Sequence, residues 1–324
     1  MRIAIAIAAG MVQLSLVAAE PLKLVQTIPL PGVKGRFDHF SIDCRGKRLF
    51  VAALENNSVE VMDLAAGNRI QSVTGMSKPQ GVLYLPEWDR VLVANGDDGT
   101  LKVLDGASFK QISNFDKLPD ADNLRFDSTA KLAWVGYGDG GMALMDAAKI
   151  SVAARVKLDG HPESFQLEAH GERVFVNVPD TSNITVIDRQ KREVLEKWPM
   201  EKFRGNFSMA LDEAKHRVFV GCRKPARLVV LDTESGKSIA DLGISADTDD
   251  LFYDTKRNRL YISCGEGWID TIEQVSADSY KSLSKIRSSP GARTCFFSPA
   301  LDRLYLAVPA RRGQTAEIRV YRPD

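Results

Sequence analysis

The sequence predicts an all-β fold, a seven-bladed β-propeller of four-stranded blades in which a strand near the N-terminus closes the last blade. Three observations lead there. A unit of about 42 residues recurs seven times. Each unit consists of short apolar, β-branched runs separated by turns. The last unit has no fourth strand of its own, while a strand-like segment near the start has no unit.

The repeat is clearest where the first strand of each unit passes into the second. The copies read SIDCRGKRLFVAA, LYLPEWDRVLVAN, RFDSTAKLAWVGY, QLEAHGERVFVNV, ALDEAKHRVFVGC, FYDTKRNRLYISC and FFSPALDRLYLAV. Their anchors are Asp43, Leu85, Asp127, Glu168, Asp212, Asp254 and Ser298, spaced 42, 42, 41, 44, 42 and 44 apart. Five residues after each anchor stands Arg48, Arg90, Leu132, Arg173, Arg217, Arg259 or Arg303, an arginine in six of seven phases. A third strand follows, as VEVMD, LKVLD, MALMD, ITVID and LVVLD, with WIDTIEQ and EIRVY departing from the pattern. The better copies add a fourth, such as RIQSV or SIADL. Runs such as RLFVA and RVFVG are apolar without alternation, so both faces of each sheet must be covered, as in sheets stacked around an axis. A two-sheet sandwich has no use for seven equal repeats. Residues 23–30, KLVQTIPL, are expected to complete the last blade and close the ring, which removes an open sheet edge.

The chain divides in two: residues 1–19 read as a signal peptide and residues 20–324 as a single propeller domain. The segment MRIAIAIAAGMVQLSLVAA has one early cation, Arg2, an apolar stretch and small residues before Glu20. That stretch is shorter than the roughly 20 residues that span a bilayer. The expectation is export with cleavage, a periplasmic or secreted monomer, and no membrane span afterwards. Lys and Arg number 43 against 42 Asp and Glu, a net charge of +1, which gives no global attraction to nucleic acid. Four cysteines are too few for a disulfide-dense scaffold. Cys222, Cys264 and Cys295 are expected as buried thiols. There is no CxxC, GxSxG or P-loop.

The second strands end in FVAA, LVAN, WVGY, FVNV, FVGC, YISC and YLAV, the first five followed by the third-strand pattern. In this the mature chain, from about residue 22 to 322, resembles the YVTN-type, YncE-like bacterial propellers. The resemblance implies the fold. It implies little about function, since such propellers include binders and, among wider relatives, lactonases and lyases. No catalytic motif from those enzymes maps onto this chain.

The phase of the repeat places residues at one mouth of the central channel. Five before each anchor stand Asp38, Gln80, Asp122, Glu163, Phe207, Asp249 and Arg293. Four before stand His39, Gly81, Asn123, Ser164, Ser208, Asp250 and Thr294. Three before, the layer is apolar: Phe40, Val82, Leu124, Phe165, Met209, Leu251 and Cys295. His161 lies just upstream of Glu163. The second-strand exits add Asn95, Tyr137, Asn177, Arg223, Lys224, Glu266, Arg311 and Arg312. His170 and His216 fall in turns of the opposite face.

The candidate ligand-binding set is Asp38, His39, Asp122, Asn123, His161 and Glu163, together with Arg223, Asp249, Asp250 and Arg293. His39 and His161 are the candidates for moving a proton, although a structural hydrogen bond to a neighbouring Asp would equally account for His39. Asp122, Glu163 and Asp249 are the candidates for holding a divalent cation: calcium or magnesium on oxygen ligands, zinc if imidazole joins them. Arg223, Lys224 and Arg227 of GCRKPAR suit a carboxylate or phosphate, and Arg223 with Arg293 would bracket an anion. Three functions are compatible with these residues: binding of a small polar or anionic ligand on the top face, a metal-dependent lactonase or lyase using the same site, and a scaffold that docks a protein partner there.

Overall fold

The computed structural model describes residues 20–138 and 140–324. The expected export segment, 1–19, lies outside them. Among the described residues seven antiparallel sheets succeed one another as the blades of a propeller. Blade 1 runs through Phe40–Asp43, Arg48–Ala53, Ser58–Asp63 and Asn68–Thr74, and the next five blades repeat that meander outward. Blade 7 is assembled from both ends of the chain. Cys295–Ser298, Arg303–Val308 and Ala316–Pro323 take Leu22–Leu30 as their outermost strand, with Leu22 opposite Pro323 and Leu30 opposite Ala316. Closure is therefore as the sequence predicts. Blade 6 departs from the pattern, as WIDTIEQ suggested: its third strand lengthens to Trp268–Ser276, and Ile286–Arg287 pairs beside the fourth.

Because both faces of a blade are apolar, each must be covered by a neighbour. One hydrophobic cluster fills each of the seven seams, from blades 1 and 2 round to blades 7 and 1. Seven residues after each anchor the second strand carries a large side chain into a seam: Phe50, Leu92, Trp134, Phe175, Phe219, Tyr261 and Tyr305, none more than 3% exposed. Burying one such side chain contributes about 1.5–3 kcal/mol.

The arginine of the repeat ties one blade to the next. Arg48 donates to the carbonyl of Gly106 at 2.5 Å, Arg90 to Ala147, Arg173 to Thr233 and Arg217 to Ala277. The acceptor is each time in the turn between the third and fourth strands of the following blade. The anchor acid orients the guanidinium, as Asp43 does for Arg48 and Glu168 for Arg173. Arg259 makes the same contact with blade 7, where the turn is interrupted by the chain ends, and donates to Pro21 and Asp324. Arg257 joins it on Asp324 and chelates Asp302 with two nitrogens. Arg303 instead donates to its neighbour Asp302.

Blade 3 lacks the arginine, having Leu132. There the cation comes from the other side of the seam. Arg189, in the blade-4 turn at the acceptor position, lies 3.5 Å from the anchor Asp127 and donates to the carbonyls of Glu168 and Gly171.

Two outcomes test these ties. Arg189→Ala strips the buried Asp127 of its cation and is expected to cost about 1–3 kcal/mol. Adding Leu132→Arg, which restores the phase of the repeat, should recover part of the lost melting temperature; no recovery would mean that the two arginines are not equivalent. The hydrogen bonds from Arg257 hold the Asp302 carboxyl down at about 2, from an ordinary 3.8. A depressed acid stabilises the fold above its unfolded pKa, and that contribution is lost as pH falls from about 4 toward 2. The stability gap between wild type and Arg257→Leu should accordingly be constant near neutrality and shrink in that window. A gap independent of pH would remove the ion pair as its cause.

Candidate functional site

The site is produced by a bulge at the head of the inner strand in six of the seven blades. In blade 1 Asp38 and His39 together face Ala52, which accepts from the Asp38 N–H and donates to the His39 carbonyl. Asp122 and Asn123 face Gly136, and Glu163 and Ser164 face Asn177, in the same way. In blades 2, 5 and 6 the register skips one residue, Gln80, Phe207 and Asp249 respectively. A bulge sets two neighbouring residues against one and re-aims their side chains. As a result all seven residues five before the anchors line one cavity of about 150 Å³ at the channel mouth. His39, Asn123 and Ser164 of the next layer join them. The apolar layer below is buried throughout, as expected. Gly81 stands where a Cβ would come within 2.2 Å of the Asp122 carbonyl oxygen, so only glycine lets blades 2 and 3 approach here.

One side of the cavity is internally paired. Asp249 accepts from Arg223 Nη2 at 2.5 Å and lies 3.2 Å from Arg293 Nε. Arg223 also donates to the Thr248 carbonyl and lies 3.6 Å above the Phe207 ring. Arg293 Nη1 donates to Asp247 at 2.9 Å. Thus Arg223 and Arg293 do bracket an anion, but it is the carboxylate of Asp249, which consequently stands apart from Asp122 and Glu163 as a cation ligand.

The other side is less satisfied. His39 Nε2 is 3.6 Å from both Asp38 Oδ1 and Asp122 Oδ1, and its Nδ1 is 3.5 Å from Asp250 Oδ1. Asp250 is fixed by the Cys295 N–H. His161 Nδ1 is 2.8 Å from the Gly138 carbonyl, and its Nε2 is 3.8 Å from Asp122 Oδ2. Asn123 is 1% exposed, yet neither atom of its amide has a hydrogen-bond partner among the described residues; Asp122 Oδ1 has none either.

Burial and mutual repulsion make this cluster hold its protons. Burial, with Asp122 and Asp249 adding to it, pushes the Glu163 carboxyl up to about 8 against the opposing pull of His161. Burial raises Asp38 as well, with His39 opposing. Burial alone would lower His39, but the charges of Asp38, Asp250 and Asp122 outweigh it and carry the imidazole to about 10. His161 reaches about 9 for the same reason, against burial and through Asp122 and Glu163. Both imidazoles are therefore charged at neutral pH, and neither is poised as a base while the carboxylates around it are free.

Other candidates lie elsewhere. Arg227 is paired with Asp241. Lys224, Arg311, Arg312 and Glu266 are exposed outside the cavity, Asn95 caps Ser77, and Asn177 holds the Phe207 and Ser208 carbonyls. His170 and His216 are exposed on other turns. All four cysteines are unpaired, with Cys44 exposed and the rest buried. Sequence reasoning missed Arg36 and Asp120, which line the cavity, and Asp247. All three stand seven before an anchor, as does His161, so a third ring was present in the phase of the repeat. It also missed Arg125, which reaches Ser164 below the acids at 3.5 Å. Arg125 is the lone charge two before the anchors, and that was its signal.

No family model matches the chain, and no curated protein sequence does. Solved structures match it well. A chain of Kuenenia stuttgartiensis hydrazine synthase superposes with a TM-score of 0.77 at 15% identity, over 95% of this chain and 98% of that one. A chain of a mitotic checkpoint complex gives 0.78 at 10% identity, over 99% and 98%. The likeness is one of fold. The propeller is common to these proteins, and both comparison chains come from multi-component assemblies or enzymes by name, which assigns no chemistry to the cavity described above. Among the described residues no helix is long and apolar enough to cross a membrane.

The paired side of the propeller's cavity can be tested by itself. Arg223→Ala leaves Asp249 with one cation and should cost about 1.5–3 kcal/mol. Asp249→Asn in that background should restore part of the loss, because the repulsion with neighbouring acids goes with the charge. If the double variant is as unstable as the sum of the two single ones, the pair is not coupled.

Proposed function

We propose that this chain is an exported propeller of YVTN type whose channel-mouth cavity binds a small polar ligand rich in hydrogen-bond donors. One observation carries the reading: a nearly fully buried Asn123 whose whole amide has no partner among the described residues, beside Asp122 Oδ1, which has none among them either, on the wall of a cavity of about 150 Å³. Buried polar groups are rarely left without partners unless something supplies them.

The charges that remain uncommitted favour one class of ligand. Arg223 and Arg293 are engaged by Asp249 and Asp247. Asp38, Asp122 and Glu163 face the cavity with no arginine fully committed to them except a 3.5 Å approach of Arg36 to Asp38. A neutral donor such as a polyol would be held by these carboxyl groups, and an amine or a hydrated cation would be held where it takes the place of the protons on His39 and His161. The volume restricts the ligand to a few heavy atoms.

The test is thermal shift and calorimetric titration with small mono- and diamines, amino sugars and polyols, with and without chelator. At least one is expected to bind saturably, and Asn123→Leu, which fills the wall with an apolar side chain, should weaken it at least tenfold while leaving the circular dichroism unchanged. Absence of any Asn123-dependent binding across the panel would sink the reading.

A further inference from the structure

The unpaired side of the cavity has an internal order that a general polar pocket does not need. The ligand atoms of Asp38, His39 and Asp122 lie within 4.8 Å of one another, and so do those of Asp122, His161 and Glu163. The two groups share one residue. Asp122 turns Oδ1 toward His39 Nε2 at 3.6 Å and Oδ2 toward His161 Nε2 at 3.8 Å. A carboxylate whose two oxygens face two separate histidine–carboxylate pairs has the arrangement of a bridging ligand between ions about 3.5–4 Å apart.

The second observation concerns the other nitrogen of each ring. Metal-bound imidazoles almost always direct their other ring nitrogen to a carboxylate or a backbone carbonyl, which fixes the tautomer and the ring. Both histidines do so. His161 Nδ1 is 2.8 Å from the Gly138 carbonyl, and His39 Nδ1 is 3.5 Å from Asp250, itself held by the Cys295 N–H. Each Nε2 is thereby left facing the cavity. The third is Asp122 Oδ1, which with the neighbouring Asn123 amide has no hydrogen-bond partner among the described residues.

We propose that the channel mouth holds two divalent first-row transition ions bridged by Asp122, one bound by Asp38 and His39 and the other by His161 and Glu163. This rests on reading the cavity as a binding site and names its occupant. One nitrogen and two carboxylates per ion suit zinc or manganese better than calcium, and three protein ligands leave each ion open positions for water or a substrate oxygen. Binding displaces the imidazole protons. The Asn123 amide then stands beside those open positions, where it can orient whatever the ions bind.

The experiment uses the whole chain, stripped with chelator and titrated with zinc or manganese chloride alone, with metal content measured after dialysis. Two ions per chain are expected. Asp122→Asn, which keeps the shape, should weaken both at least 100-fold. His161→Ala should leave one. Asp250→Asn should weaken only the ion at His39, by about 10–100-fold. His170→Ala, at an exposed histidine, should change nothing. The manganese form should show an exchange-coupled electron paramagnetic resonance signal that His161→Ala converts to that of a single ion. One ion per chain in the wild type, none retained, or a stoichiometry indifferent to Asp122 would overturn the proposal. Amine or polyol binding that persists in chelator would show that the pocket stands without the ions, so the two readings fail separately.

Discussion

A sheet apolar on both faces cannot end at solvent, and that constraint organises the molecule. Each blade needs a neighbour on either side, so the row of blades must return to its beginning. The clusters that fill the seams satisfy it seven times, the last between Ile28, Leu30, Tyr305 and Ile318 of blade 7 and Leu49, Val51 and Met62 of blade 1. The pairing of Leu22–Leu30 with Ala316–Pro323 is the chain's way of closing the ring. The arginine ties follow from the same geometry. Blades diverge away from the axis, and a long guanidinium reaching from the second strand of one blade to the outer turn of the next spans the gap where apolar contact thins out. Where an acid meets it, as Asp43 does Arg48, Glu168 does Arg173 and Asp232 does Arg217, the guanidinium is not a lone half-buried charge.

Closure also determines where chemistry can be placed. The inner strands open on one pole, and there every blade contributes a lining residue to a single cavity. The bulge makes that pole dense. Without it, alternation along the strand would send Asp38 and His39, or Asp122 and Asn123, to opposite faces of a blade. With it, both members of each pair reach the cavity, and a two-residue step in sequence supplies both a carboxylate and its neighbour. The features that stabilise the fold and those that build the site are thus adjacent but separate. The apolar layer three before the anchors belongs to the seams, and the residues just upstream belong to the pole.

Most of the fold was legible because it is periodic. The spacing of the anchors, the arginine five residues on and the orphan strand at 23–30 each had one physical explanation. Leu132 looked like a simple gap in the arginine pattern, since nothing in the sequence shows that Arg189 fills it across the seam. At the site, phase located the ring five before the anchors without error, because that position is defined by backbone register. It could not tell how the side chains would pair. Arg223 and Arg293 read as free cations awaiting an anion, and Asp249 read as a ligand, because charge complementarity between loops of blades 5, 6 and 7 depends on three-dimensional proximity that no spacing encodes. Arg125 was overlooked although its position among Ser41, Leu83, Gln166, Ala210, Phe252 and Phe296 marked it as unusual.

The two sides of the cavity therefore differ in kind, and the difference follows the blades. Blades 5 to 7 contribute Phe207, Asp249 and Arg293, which together with Arg223 satisfy one another and form a rigid wall. Blades 1, 3 and 4 contribute Asp38 with His39, Asp122 with Asn123, and Glu163 with His161, whose contacts are long and whose polar atoms are in part unpartnered. A carboxylate already clamped by two guanidinium groups has little left to offer a ligand, so what the cavity presents is set by the other three and by the two imidazoles among them. What the pole attracts is decided less by how many acids it contains than by which of them the arginines have taken out of play. Moving the clamp from Asp249 to Asp122 would leave the composition unchanged and free Asp249 instead, but the one carboxylate that faces both His39 and His161 would then be taken out of play.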